Sequence, residues 1–94
     1  MKAYWNNELI ADSDKTLTLE GIYYFPPESV FQEFIVPSST RTLNPENGEA
    51  TYYDIIVDGK MNRDAAWSYH KPRSAASHVK DYLGFWRGVI FSDT

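Results

Sequence analysis

The run from Ala50 to Val57 is the longest strand-like segment of the chain, and the Asp58-Gly59 pair follows it directly. An Asp-Gly pair accepts the positive φ angles of a two-residue hairpin turn, so the chain is expected to reverse there and return through Lys60. Alternate side chains of a strand point to opposite faces. We therefore expect one face in the core, with Thr51, Tyr53, Ile55 and Val57, and a second face that is either solvent-exposed or one wall of a cleft, with Ala50, Tyr52, Asp54, Ile56 and Asp58.

Short β-prone runs lie on both sides of this segment. An opening hairpin is predicted around Asn6-Asn7, because asparagine tolerates positive φ. Further strands are predicted at residues 17–19, 22–25, 31–36 and 40–43, with Pro37 ending the 31–36 strand. Many short strands at this spacing are typical of an all-β sandwich, barrel or tent-like arrangement. We expect a mainly β, antiparallel fold in a single domain over residues 1–94.

Three short segments carry helix signals. Pro27 suits the first position of a helical turn, and the Asn62 and Asp64 caps predict one or two helical turns over residues 63–69. Ser74 precedes a short amphipathic segment that Pro72 separates from the previous one. The closing runs, 84–86 and 89–91, are predicted to pair as a hairpin around Arg87-Gly88.

Composition and charge disfavour several classes of function. The net charge is -4, the pI is about 5.0 and the basic residues form no run, so a nucleic-acid partner is not expected. The absence of cysteine removes disulfides, thiolate nucleophiles and cysteine-based zinc sites, and fits a reducing cytosol. No apolar run is long enough for a membrane span or a signal region. We expect a cytoplasmic protein without a membrane partner.

The residue types needed for catalysis or cofactor binding occur without a recognisable pattern. His70 and His78 are the only histidines, and their spacing fits no metal site, so no metal and no cofactor are expected. Ser68 lies beside Tyr69 and His70, but no nucleophile-elbow or phosphate-binding glycine pattern is present. Asp54 with Glu46 or Asp64 could form an acid-base pair, although Asp64 is already explained as a cap.

Aromatic side chains give the strongest indication of a binding site. Four of them fall in or beside turns and strand ends, where ring faces can line a pocket for a flat, cyclic or cationic ligand. Core packing is an equally simple explanation for some of these rings, and both remain open. The candidate ligand-binding residues are Tyr52, Trp67, Tyr69 and Trp86, with Asn44, Asn47 and Asp54 as a polar rim.

Several motifs in the same order resemble a known family nearly end to end. They are residues 44–53, residues 64–69, Tyr24-Phe25-Pro26 with Val30, Pro37-Ser38, Val57-Asp58-Gly59 and residues 82–86. This pattern resembles the domain-of-unknown-function 427 family, which is also labelled nucleotidyltransferase-like. The resemblance implies a β-tent-like fold, related to the zinc-containing domains of methionine sulfoxide reductase B and the thalidomide-binding domain of cereblon but without the zinc. Some relatives in that wider fold hold ligands in an aromatic cage.

The chain departs from the family pattern at two places. Asn44-Pro45-Glu46-Asn47-Gly48 stands where the family usually has Cys-Pro-aromatic-Lys-Gly, and His70 replaces a usual proline. The turn has therefore lost a thiol, a ring and a cation. If those groups carry an activity elsewhere in the family, this chain is expected to lack it or to do something different. The nucleotidyltransferase label finds no support, because the Gly-Ser pair and closely spaced aspartates of those enzymes are absent.

Three hypotheses about function follow. The leading one is a non-catalytic domain that binds a small ligand or a peptide through the aromatic residues. The second is an enzyme that uses Asp54, Glu46 or His70 as an acid or base around one cavity. The third is an interaction module with an exposed aromatic patch.

Overall fold

Nine strands and three short 3₁₀ turns make up the regular structure of the chain in a computed structural model that describes residues 1–94. The 3₁₀ turns are Pro27–Ser29, Gln32–Phe34 and Ser74–Val79. None of these turns has the length or the apolar character to cross a membrane. The strands are β1 (Lys2–Trp5), β2 (Glu8–Asp12), β3 (Leu17–Leu19), β4 (Ile22–Phe25), β5 (Ile35–Asn44), β6 (Gly48–Val57), β7 (Lys60–Tyr69), β8 (Leu83–Phe85) and β9 (Ile90–Ser92).

The strands form two antiparallel sheets. The smaller sheet has the order β2-β1-β9, and the larger has the order β3-β4-β8-β7-β6-β5. Strands β5, β6 and β7 are consecutive in both sequence and space, whereas β8 inserts between β4 and β7. The prediction of a mainly β, antiparallel fold with short helical turns is confirmed.

Two predicted hairpin turns have the expected backbone conformation. Asp58 and Gly59 have φ angles of 51° and 74°, and Val57 pairs with Lys60 across them. Asn6 and Asn7, with φ of 51° and 63°, connect β1 to β2 in the same way. Positive φ at both central residues gives a turn whose twist matches the twist of the strands that it joins.

The prediction of one or two helical turns over residues 63–69 is wrong, because these residues belong to β7. Its residues pair with β6 on one side and with β8 on the other, and the last five residues of the strand are all buried. Ladder hydrogen bonds and burial on both faces outweigh the local capping signal. Asp64 instead takes a left-handed conformation, with φ of 53°, inside an irregularity of the β6–β7 pairing.

Pro37 does not end a strand, contrary to expectation. Strand β5 runs through it to Asn44, and only the register with β6 is interrupted between Pro37 and Arg41. Since β5 is an edge strand, one of its sides needs no ladder partner, and a proline is tolerated there. The segment just before β5 is a 3₁₀ turn, Gln32–Phe34, where strand was predicted.

The predicted closing hairpin is also wrong. Arg87 and Gly88 do form a turn, with φ of 54° and 86°, but β8 and β9 do not pair with each other. Strand β8 pairs with β4 and β7 in the larger sheet, and β9 pairs with β1 in the smaller sheet. The turn therefore carries the chain from one sheet to the other.

The larger sheet is packed on both faces. A first core, which includes Ile10 of the smaller sheet and Phe25, Ile55 and Phe85 of the larger, lies between the two sheets. A second core lies on the opposite face and is covered by the Ser74–Val79 turn. The second core consists of Tyr24, Ala50, Trp67, Tyr69, Ala76 and Val79.

Strand β6 contributes to both cores. Ile55 and Val57, predicted as core, are buried in the first core, and Tyr53 packs against it. Ala50, from the other face, is buried in the second core, and Tyr52 packs against that core. In the amino-terminal half of β6, the second face therefore packs against the aromatic side chains of the second core.

Candidate functional site

A cavity of about 400 Å³ opens beside the second core and is lined mainly by apolar side chains. Five of the seven predicted site residues line it, namely Asn44, Tyr52, Trp67, Tyr69 and Trp86. Asn47 and Asp54 do not. We refer to this space as the aromatic cavity; its remaining lining residues are Ile22, Thr42, Leu43, Pro45 and Ala50.

Strand pairing explains how the rings come together. Tyr52 of β6 lies opposite Trp67 of β7, and Trp67 lies opposite Gly84 of β8. A Cβ atom at Gly84 would lie 2.9 Å from the Trp67 ring atom Cζ2 and 3.0 Å from Tyr24 Cε2. Only a residue without a side chain leaves room there, so Gly84 fixes the position of the Trp67 indole.

The rings pack mostly edge to face. The Trp67 and Trp86 centroids are 5.6 Å apart at 74°, and the Tyr24 and Trp67 centroids are 6.0 Å apart at 90°. Tyr52 is tilted against Trp67 at 6.5 Å. Aromatic pairs favour these geometries, which fix ring orientation as well as position.

The polar atoms of these rings already have partners inside the protein. Trp67 Nε1 donates to the Tyr24 hydroxyl at 3.1 Å, and Trp86 Nε1 donates to the Asp64 carbonyl at 2.6 Å. The Tyr52 hydroxyl lies 3.0 Å from Thr42 Oγ1. Burial raises the pKa of Tyr24, so this hydroxyl stays neutral and accepts from Trp67 at ordinary pH. The cavity therefore offers ring faces more than hydrogen-bonding groups.

Asn44 stabilises the β5–β6 turn, and Asn47 holds the Tyr69 ring. Asn44 Oδ1 accepts from the backbone N–H groups of Glu46 and Asn47, at 2.8 and 3.0 Å. Asn47 is 3% exposed, and its Nδ2 donates to Glu20 at 2.9 Å and to the Tyr69 hydroxyl at 3.5 Å. Asn47 thus lies behind Tyr69, while its own Oδ1 is buried without a partner.

Asp54 does not line the cavity but stabilises the irregularity in the β6–β7 pairing. Its Oδ1 accepts from the backbone N–H of Asp64 at 2.8 Å. The Asp64 carboxylate in turn accepts from the hydroxyls of Ser38 and Thr40, at 2.6 and 2.8 Å, and these bonds lower the pKa of Asp64. The two carboxylates therefore fix the backbone whose carbonyl holds the Trp86 indole.

The three groups suggested for acid-base chemistry do not converge. Asp54, Glu46 and His70 share no hydrogen bond and line no common cavity. His70 lies instead in a polar groove, also of about 400 Å³, with Glu49, Thr51 and Lys71. No three His, Cys, Asp or Glu side chains lie together in a group that could hold a metal ion.

His70 links Tyr53, which was expected only as a core residue, to Asp81, which no motif indicated. Its Nε2 lies 3.0 Å from the Tyr53 hydroxyl, and its Nδ1 lies 2.7 Å from Asp81 Oδ1. Burial raises the pKa of Tyr53, which keeps its phenol protonated. Asp81 is separated from His70 by the Ser74–Val79 turn, and no local motif indicates this contact.

Other residues around the aromatic cavity were also missed. Ile22 comes from β4, and Thr42, Leu43 and Pro45 come from the end of β5 and its turn. Their positions depend on the order of strands in the sheet, which no local pattern specifies. Arg87 lies outside the cavity lining, with its guanidinium 4.7 Å from the centroid of the Trp86 ring.

Comparisons with known proteins identify a family. A search of curated proteins found no match. The family model described as a domain of unknown function (DUF427) matches residues 1–92, which is nearly the whole chain. The resemblance inferred from the motifs is thereby confirmed, and the chain belongs to the DUF427 family.

Proposed function

We propose that this protein binds a small organic molecule, or the end of a peptide, in the aromatic cavity without catalysing a reaction on it. The observation that carries the proposal is a space of about 400 Å³ bounded by Tyr52, Trp67, Tyr69 and Trp86. Ligand sites are typically concave and mostly apolar, with a few polar groups that orient the ligand. The aromatic cavity has this character.

The composition of the lining supports binding over catalysis. None of the ten lining residues is Asp, Glu, His, Lys, Arg, Ser or Cys. General acid-base catalysis and nucleophilic catalysis most often use such a group, and a Thr or Tyr hydroxyl needs an activating neighbour to serve as a nucleophile. The Tyr69 hydroxyl accepts from Asn47 Nδ2, an amide that cannot act as a base. The hydroxyls of Thr42 and Tyr52 are bonded to each other and have no neighbouring base in the lining.

The same composition restricts the ligand. A phosphate or carboxylate group would find no Lys or Arg in the lining to compensate for its lost hydration. A flat uncharged ring system could stack against Tyr52 or the indoles, and a cation could lie on their faces. Neutral or cationic ligands with little hydrogen-bonding demand are therefore favoured.

An NMR screen tests this proposal directly. Small uncharged heterocycles, amines and carboxylic acids are added to ¹⁵N-labelled protein, and backbone and indole N–H shifts are followed. We expect ligands to shift the indole signals of Trp67 and Trp86 and the amides of residues 42–44. Trp5 belongs to β1 and packs against the first core, so its indole is an internal reference that should not move.

Two outcomes would contradict the proposal. One is a screen in which no compound moves the Trp67 or Trp86 signals at millimolar concentration. The other is a set of ligand shifts that maps to the polar groove of Glu49, Thr51, His70 and Lys71 instead. Trp86→Leu is the variant to compare with the original protein in this screen, because Trp86 is 42% exposed and its replacement should disturb the core little.

A further inference from the structure

The chemistry of the aromatic cavity specifies more than a preference for apolar ligands. Both indole N–H groups and the Tyr52 hydroxyl are occupied by protein partners, and Asn44 Oδ1 is occupied by two backbone N–H groups. With the indole N–H groups occupied, the lining has few free donors for an acceptor on the ligand, and it has no carboxylate for a donor on the ligand, so polar groups of either kind would be poorly paired at a free-energy cost. The ligand group that enters should therefore carry few hydrogen-bonding groups of either kind.

Ring faces attract cations, and one of these rings already holds one. The Arg87 guanidinium lies 4.7 Å from the centroid of the Trp86 ring, although Arg87 itself does not line the cavity. The lining itself contains no Lys or Arg, but Arg73 borders it, with its Nη1 donating to the carbonyl of the lining residue Pro45 at 2.6 Å. Behind Tyr69, Asn47 connects the ring to the Glu20 carboxylate, and the whole chain has a net charge of -4. The attraction of a cation to the cavity therefore rests on the ring faces and not on the charges around it.

We propose that the aromatic cavity binds a quaternary, fully N-alkylated ammonium group, an inference that rests on the proposed ligand-binding function. A primary ammonium has three N–H donors and a guanidinium has five, and the lining has no carboxylate to accept them. A quaternary ammonium has no N–H at all and a large apolar surface. It gains the attraction of the ring faces without leaving a donor unpaired.

A matched pair of compounds separates charge from shape. Choline and 3,3-dimethylbutan-1-ol have the same branched outline, but only choline is charged. We expect choline to bind about tenfold more tightly, because a desolvated cation over aromatic faces gains roughly that factor. Binding is measured by the shift of the Trp67 and Trp86 indole signals on titration.

Variants at Tyr52 separate the ring from its hydroxyl. Tyr52→Phe keeps the ring face and should retain choline affinity within about threefold, whereas Tyr52→Leu removes the face and should lose about tenfold. Thermal unfolding of both variants shows that they are folded at the titration temperature. Equal losses in the two variants would overturn the proposal, since the hydroxyl and not the ring would then be the binding group.

The source of the group is distinguished by a second titration. A peptide with one trimethyllysine is compared with the same peptide carrying unmodified lysine and with free choline. Tighter binding of the trimethyllysine peptide than of choline would identify a modified protein side chain as the source, and the reverse would identify a free small molecule. Equal binding of the two peptides would contradict the proposal.

The proposal and the underlying function fail in different ways. If neutral heterocycles move the Trp67 and Trp86 signals but choline binds no better than 3,3-dimethylbutan-1-ol, the ammonium proposal is wrong and the binding function stands. If neither class of compound moves those signals, both are wrong.

Discussion

The aromatic cavity and the polar groove have the same volume, about 400 Å³ each, and lie on opposite faces of one strand. Ala50 and Tyr52 of β6 face the cavity, while Glu49 and Thr51 face the groove, as the alternation of a strand requires. The aromatic side is continuous with the second core, whereas His70 and Asp81 beside the groove are 46% and 49% exposed. The two spaces therefore have equal volumes, but the residues around them contribute unequally to the free energy of unfolding. Substitutions on the aromatic side should destabilise the protein more than substitutions beside the groove.

Trp67→Ala should have the largest effect. Trp67 is 9% exposed and contacts the rings of Tyr24, Tyr52 and Trp86, so its loss removes a large buried area and leaves a cavity. We expect a loss of about 3–5 kcal/mol in the free energy of unfolding. Urea denaturation followed by far-UV circular dichroism measures it.

Trp86 is the matched control on the same face. It is 42% exposed, and Trp86→Ala should cost clearly less than Trp67→Ala. If both variants lost the same stability, the distinction between the floor of the cavity and its exposed edge would be wrong.

Gly84→Ala should have the second largest effect, because one methyl group would meet the Trp67 and Tyr24 rings. Overpacking of this kind typically costs about 1–3 kcal/mol. The near-UV circular dichroism signal of the indoles should change as Trp67 is displaced.

A double-mutant cycle makes the Gly84 test specific. In a Trp67→Leu background, Gly84→Ala should cost less than in the original protein, because the smaller side chain leaves space for the methyl group. The same cost in both backgrounds would show that Gly84 is needed for another reason.

The sequence was informative where local backbone chemistry decides the structure. Asp58-Gly59 and Asn6-Asn7 gave correct turns, because their positive φ angles are a property of the residues themselves. The prediction was wrong at residues 63–69, where pairing with β6 and β8 overrides the capping signals of Asn62 and Asp64. It was also wrong at Arg87-Gly88, because a turn does not specify which sheet the next strand joins.

For the candidate site, the sequence identified the rings but not their surroundings. Tyr52, Trp67, Tyr69, Trp86 and Asn44 were singled out from aromatic type and turn position, and they line one cavity. The contact of His70 with Tyr53 and Asp81 joins residues that are 17 and 11 positions apart in sequence, and only the tertiary fold brings them together. Strand order and loop placement are non-local properties, so no residue pattern could have indicated that contact.

Asp64 should make stability pH-dependent near the exposed edge of the aromatic cavity. The hydroxyls of Ser38 and Thr40 lower the pKa of Asp64 in the folded state. Its contribution is therefore present above the unfolded-state pKa of about 4 and is lost as the pH falls through the lower folded-state value.

Asp64→Asn isolates that contribution. Asparagine tolerates the left-handed conformation at this position, where φ is 53°, so the backbone should be unchanged. Between about pH 5 and pH 2 the melting temperature of the variant should fall less than that of the original protein. Parallel curves for the two proteins would show that the hydroxyl contacts do not stabilise the ionised carboxylate.

Asp81→Asn should have the smallest effect and tests the polar face of the comparison. Asparagine can keep φ at 66° and can still accept a hydrogen bond from His70, so only the charge is lost. Because both partners are about half exposed, we expect a change below about 1 kcal/mol in unfolding free energy and unchanged choline affinity. A larger loss of stability would show that the groove belongs to the folded framework as much as the rings do. A change in choline affinity would show that the two faces of β6 are energetically coupled, because no atom of Asp81 lines the aromatic cavity.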